Sequence, residues 1–137
     1  MAVEILVAED NEDVRDFLVA ALSGAGFRVV EAADGAAVLT RLGYAPPGLI
    51  LLDLHMPLVD GMEVLRRLRS VPAWEKTLVL ILTASGLTDD LVEARRLGAR
   101  GYLVKPIRPA DLVAKVKRIL EDPELIWLDD ITELRAR

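Results

Sequence analysis

The chain has 137 residues, enough for one domain with a self-sufficient hydrophobic core. Its 53% apolar and 28% charged residues exclude a disordered polymer, and a net charge of −5 argues against a nucleic-acid surface, which carries a basic footprint. The lack of cysteine excludes disulfide and thiolate chemistry; the short apolar runs fit no membrane span and no signal peptide, so a soluble cytoplasmic protein is expected.

Apolar runs of strand length alternate with amphipathic stretches along the chain, the pattern of βαβ units. Residues 3–8 read as a first strand that stops at Glu9-Asp10. Val14, Phe17, Leu18, Ala21 and Leu22 then recur at helical spacing, and Gly24 and Gly26 end that helix. Residues 27–32 form a second strand, followed by the turn signal Asp34-Gly35. A short helix over 36–42 must stop before Pro46-Pro47. The run Leu49-Ile50-Leu51-Leu52, ending at Asp53, is apolar throughout, as a strand covered on both faces should be.

Pro57 and Asp60-Gly61 mark a loop, after which Met62, Leu65 and Leu68 share one face of a third helix. Pro72 breaks the chain before a fourth strand that ends at Thr83. Residues 87–97 make a weaker, more polar helix closed by Gly98, with the thinnest apolar stripe of the five. A strand over 101–104 ends at Lys105-Pro106, and a last helix carries Leu112, Val116, Ile119 and Leu120 on one side. Five strands and five helices within 3–121, joined by right-handed crossovers, give a three-layer α/β sandwich. Pro123 then opens a separate segment. Leu128, Ile131 and Leu134, with Trp127, predict a C-terminal amphipathic helical extension or linker over 123–137, distinct from a domain over 1–122. Packing on its own domain, contact with a second copy and a lead into an output domain are all open to it.

Parallel strands would align their carboxyl ends along one edge, where open α/β sheets bind ligands. Three carboxylates (Glu9, Asp10, Asp53), the Thr83 hydroxyl and the Lys105 ammonium would then converge. Each like-charge pair costs about 4 kcal/mol at 4 Å in an effective dielectric near 20. A divalent cation removes that penalty, and Mg²⁺ suits a site with few carboxylates, retained waters and a phosphate oxygen. Lysine supplies a mobile point charge and threonine a hydroxyl for a phosphoryl group. With no cysteine and His55 as the sole histidine, a carboxylate is the nucleophile, and Asp53 at the end of the most buried strand is the best candidate.

Glu9-Asp10, Leu52-Asp53-Leu54-His55-Met56-Pro57 with Asp60-Gly61, Thr83-Ala84 and Lys105-Pro106 resemble the motifs of the receiver domain of two-component response regulators, CheY-like, over about residues 3–121. The resemblance implies a doubly wound, flavodoxin-like parallel sheet of order 2-1-3-4-5. It implies that Asp53 accepts phosphate from a histidine kinase or phosphotransfer protein. Asp10 and Asp53 would bind Mg²⁺ directly, with the backbone carbonyl of His55 as a third ligand and Glu9 acting through water. Thr83 would follow the phosphoryl group and Tyr102 would swing inward as a switch aromatic, reshaping the face of the fourth helix, fifth strand and fifth helix. The Lys105-Pro106 peptide is commonly cis in the family, and His55 and Ser85 stand where the family tunes phosphoryl lifetime. Expected partners are a downstream protein or fused output domain and a second copy of the chain, without direct nucleic-acid or membrane binding.

Three other functions compete with this one. A magnesium phosphohydrolase would usually carry a second acid two residues past the nucleophile, where this chain has His55, so an enzyme is not expected. A flavin carrier would need a Ser/Thr/Gly-rich loop after the first strand, where Glu9-Asp10-Asn11-Glu12-Asp13 would repel phosphate. A phosphorylation-independent binding module is disfavoured by the intact acidic set. Asn11 can also cap the first helix in place of Glu9-Asp10.

Overall fold

In a computed structural model of the chain, residues 2–84 and 89–122 are described in full, and residues 125–128 and 133–135 as backbone. Five strands and five helices alternate: β1 (Glu4–Ala8), α1 (Glu12–Gly24), β2 (Arg28–Ala32), α2 (Gly35–Thr40), β3 (Leu49–Asp53), α3 (Gly61–Ser70), β4 (Leu78–Thr83), α4 (Asp89–Arg96), β5 (Gly101–Val104) and α5 (Pro109–Glu121). The strands pair in parallel in the order β2-β1-β3-β4-β5, as expected.

Strand residues alternate between two apolar layers because successive side chains leave opposite faces of a sheet. Leu6, Ile50, Leu52, Val79 and Ile81 pack with Val38 of α2, Leu65 and Leu68 of α3 and Leu91 and Ala94 of α4. Ile5, Val7, Leu49, Leu51 and Leu80 pack instead with Leu18 and Leu22 of α1 and Leu112, Val116 and Ile119 of α5. β3 is buried along its whole length, which follows from its central place in the order.

Short polar side chains start the helices. Asn11 Oδ1 accepts the Val14 N–H at 3.0 Å, so Asn11 and not the acidic pair caps α1. Asp34 and Asp60 cap α2 and α3 through the N–H groups of Ala37 and Glu63. Gly98, at φ 87°, lies just beyond α4, in the left-handed conformation that closes helices. Residues 85–88, including the expected start of the fourth helix and Ser85, lie outside the described residues.

Where residues 123–137, expected to be a helical extension or linker, are described, they are strand and not helix. Leu125–Leu128 (β6) and Glu133–Arg135 (β7) are strands that pair antiparallel, and β6 adds in parallel to β5 through Gly101 and Leu128. Among the described residues the expected five-stranded parallel core is thus extended by two further strands at the β5 edge. Four consecutive apolar residues, Leu125-Ile126-Trp127-Leu128, are too wide a run for a helix stripe of period 3.6. With β-branched and aromatic members they suit a strand. The unpaired edge of β5 offers backbone partners that an isolated helix would not use.

Candidate functional site

The parallel register brings the carboxyl ends of β1, β3, β4 and β5 to one edge of the sheet. Asp53 closes β3 and is 4% exposed. Its Oδ1 accepts the backbone N–H of His55 at 2.9 Å, and its Oδ2 accepts Lys105 Nζ at 3.0 Å. Glu9, immediately after β1, is fully buried. Its Oε2 accepts the Asn11 N–H at 3.3 Å, and Lys105 Nζ lies 2.5 Å from its Oε1. This second contact is a close ion pair inside the buried edge.

Asp10 is exposed beside them, and one oxygen from each of Glu9, Asp10 and Asp53 lies within 4.8 Å of the others. Three carboxylates face one ammonium, which leaves two negative charges uncompensated. At roughly 4 kcal/mol per close pair, that deficit is a substantial electrostatic cost. The residues therefore fit a divalent cation by their charge and by the close approach of one oxygen from each carboxylate. Burial pulls the Lys105 ammonium down, but the carboxylates of Glu9 and Asp53 outweigh it and hold the group above the ordinary lysine value.

The local sequence explains how these groups are held. The Lys105 N–H donates to the Thr83 carbonyl at 2.8 Å, and Lys105-Pro106 is cis, as in the expectation. Gly61 allows α3 to start against the end of β3, because a Cβ there would drive into the Asp53 carbonyl oxygen. Its N–H donates to the Leu54 carbonyl at 2.9 Å. Arg15 Nη1 donates to the Glu9 carbonyl at 2.9 Å, tying α1 to the end of β1.

Glu9, Asp10, Asp53 and Lys105 are brought together. Thr83 is buried at the end of β4, opposite Val104 in register and one residue beyond the partner of Asp53. Tyr102 is 7% exposed, in the apolar layer that includes Leu91 and Ala94 of α4. The His55 side chain is exposed and points to α4, with Nε2 3.9 Å from Asp90 Oδ2. Two contributors were not legible in advance: the backbone N–H groups of His55 and Asn11, which only a folded loop can aim. A third, Lys115, is 9% exposed, donates to the Tyr102 carbonyl at 2.8 Å and lies 5.7 Å from its ring centroid. Its place on the buried stripe of α5, three residues after Leu112 and four before Ile119, was the available signal.

Comparison with known proteins agrees with this geometry. Residues 5–117 match the response regulator receiver domain. The chain is 32% identical over 136 residues to the phosphate regulon transcriptional regulatory protein PhoB of Escherichia coli, covering 99% of this chain and 59% of that protein. It thus spans less than two thirds of that relative's length. Among solved structures, the chemotaxis response regulator CheY4 of Vibrio cholerae superposes with a TM-score of 0.82 at 29% identity, covering 87% of this chain and 99% of that one. The receiver domain of the sensor histidine kinase PA1611 from Pseudomonas aeruginosa, with magnesium coordinated in its active-site cleft, gives 0.81 at 29% identity, covering 89% and 100%. This chain belongs to the response regulator receiver domain family of two-component signalling.

Proposed function

We propose that Asp53 is the phosphoacceptor and that a histidine kinase or phosphotransfer protein is the donor. The observation that carries this reading is the meeting of Glu9, Asp10 and Asp53 with Lys105 at the carboxyl edge of the sheet. An Asp53 oxygen forms the new bond to phosphorus as the bond from phosphorus to the donor histidine nitrogen breaks, and that nitrogen keeps the electron pair. The His55 N–H holds one carboxylate oxygen and so orients the other. Lys105 is already within reach and passes to the incoming phosphoryl oxygens, while the Thr83 hydroxyl donates a hydrogen bond to them. Transfer of this kind needs alignment and charge neutralisation more than covalent help.

Asp10 and Asp53 would hold Mg²⁺ directly, with the His55 carbonyl as a third ligand and Glu9 acting through water. The ion supplies charge neutralisation between the carboxylates and the phosphoryl oxygens. The magnesium bound by the PA1611 receiver supports this assignment. The outcome is a switch and not turnover of a substrate. Movement of Thr83 and Tyr102 biases α4, β5 and α5, a local charge event acting on a two-state element. Residues 1–122 form the switching unit, and the β6–β7 hairpin is an addition to its edge. Output passes to a downstream protein or a fused domain.

A phosphate-affinity gel of wild type and Asp53→Asn, after incubation with acetyl phosphate with and without Mg²⁺, tests the proposal. A retarded band that requires both Asp53 and Mg²⁺ is expected. No band at any early time point would transfer the case to a phosphorylation-independent binding module.

A further inference from the structure

At the opposite edge of the sheet, a cavity of about 690 Å³ opens between the carboxyl ends of α3 and α4 and the entries to β4 and β5. Its charged lining among the described residues is Arg69, Lys76, Arg95, Arg96 and Arg100, with the carboxylate of Glu75. Among the described lining residues five cations and one anion gather, in a chain whose net charge is −5, so the patch is no by-product of a basic composition. Basic residues in a last helical turn offset the helix dipole, which accounts for Arg69, Arg95 and Arg96. It does not account for Lys76 and Arg100, which lie in the loops before β4 and β5.

Arg69 sets the character of the cavity. Its guanidinium donates to the carbonyls of Leu97, Glu75, Thr77 and Gly98 at 2.7 to 3.3 Å, and no described ion pair reaches it. Burial first, and then the charge of Arg100, push it below the ordinary arginine value. Arginine stays protonated in proteins, so this marks a positive charge held at a cost beside another. An anion in the cavity would relieve that crowding. Arg96 also pairs with Glu93, at 3.2 Å, and keeps its head near the rim.

We propose that this cavity is a binding site for a small oligophosphate anion. Its volume falls in the range of small-ligand pockets. Guanidinium forks and an ammonium suit phosphate oxygens. Among the described residues no aromatic side chain lines it, so recognition rests on the phosphates. A ligand there would clamp the end of α4 to α3, far from Asp53.

The test is calorimetric titration of the full chain with sodium tripolyphosphate, with EDTA present and at about 150 mM salt, where charges beyond about 8 Å are screened. Saturable binding is expected, weakened at least about tenfold in Lys76→Glu/Arg100→Glu and unchanged in Asp53→Asn. The Gly98 amide and Arg69 Nε–H resonances should shift on titration. Arg66→Glu/Arg67→Glu, the same charge change on the outer face of α3, should weaken binding far less. If the reversed pair fails to fold by circular dichroism, Arg100→Gln serves, with a smaller loss expected. Absence of saturable binding, equal weakening in the control pair or loss in Asp53→Asn would each overturn the site. Displacement of tripolyphosphate by a lower concentration of hexaglutamate would overturn the ligand class in favour of an acidic peptide.

Discussion

α4 and α5 flank the same strand, β5, yet they are anchored very differently. α5 runs for 13 residues and buries Leu112, Val116 and Ile119, with Lys115 bonded to the Tyr102 carbonyl. α4 runs for 8 described residues and buries Leu91 and Ala94, while Val92 stands 64% exposed. A buried leucine-sized side chain contributes roughly 1.5–3 kcal/mol, so α5 is held by more buried apolar side chain than the described part of α4. Segments with few buried contacts open most easily. The contrast makes α5 the expected frame and α4 the element expected to shift. Tyr102 packs in the layer of the weaker helix while its backbone is held by the stronger one.

The largest expected effect comes from Asp53→Asn. After acetyl phosphate and Mg²⁺, hydrogen exchange in the wild type should change chiefly in α4, with α5 nearly still, and the substitution should remove that change altogether. A larger change in α5 would break the contrast. Next, Leu112→Ala in α5 should lower stability by about 2–5 kcal/mol in urea unfolding. Leu91→Ala in α4 should cost less and instead raise amide exchange within α4. Equal losses would show the two helices to be anchored alike.

Lys115→Met sharpens the comparison further. It keeps the aliphatic stem but removes the buried ammonium that donates to the Tyr102 carbonyl, a loss of about 1–3 kcal/mol that thermal unfolding should register. Lys105 belongs to the same frame, since it follows β5 and precedes α5. Its pKa is raised on folding, so its contribution is fully present below the unfolded value, about 10.4, and is lost as pH rises through the higher folded value. Unfolding midpoints should therefore fall above about pH 10 in the wild type and fall less in Lys105→Met. The smallest effect is expected at Asn11→Ala, where loss of the α1 cap should cost about 1 kcal/mol without altering the phosphorylation-linked change in α4.

Much of this site can be read directly from residue order. Each apolar run of strand length ends at a polar residue, and the alternation with helical periods leaves a parallel sheet as the economical arrangement. The polar ends must then share an edge, so Glu9, Asp10, Asp53, Thr83 and Lys105 could be named without coordinates. Asp34-Gly35, Asp60-Gly61 and Gly98 announce their turns through local chemistry, which depends on neighbours a few residues away.

Contacts between distant segments are another matter. The same apolar spacing at Leu128, Ile131 and Leu134 serves a helix or a strand, and the free edge of β5 decided for strands at 125–128 and 133–135. Trp74 is buried with its indole N–H on the Tyr44 carbonyl, 30 residues away, which no local pattern specifies. The four carbonyls around Arg69 and the placement of Lys105 between Glu9 and Asp53 likewise exist only once the chain has closed. Periodicity and turn chemistry are local and so are written in the residues; which edge is open, and which charge meets which, depend on segments that touch only in the folded chain.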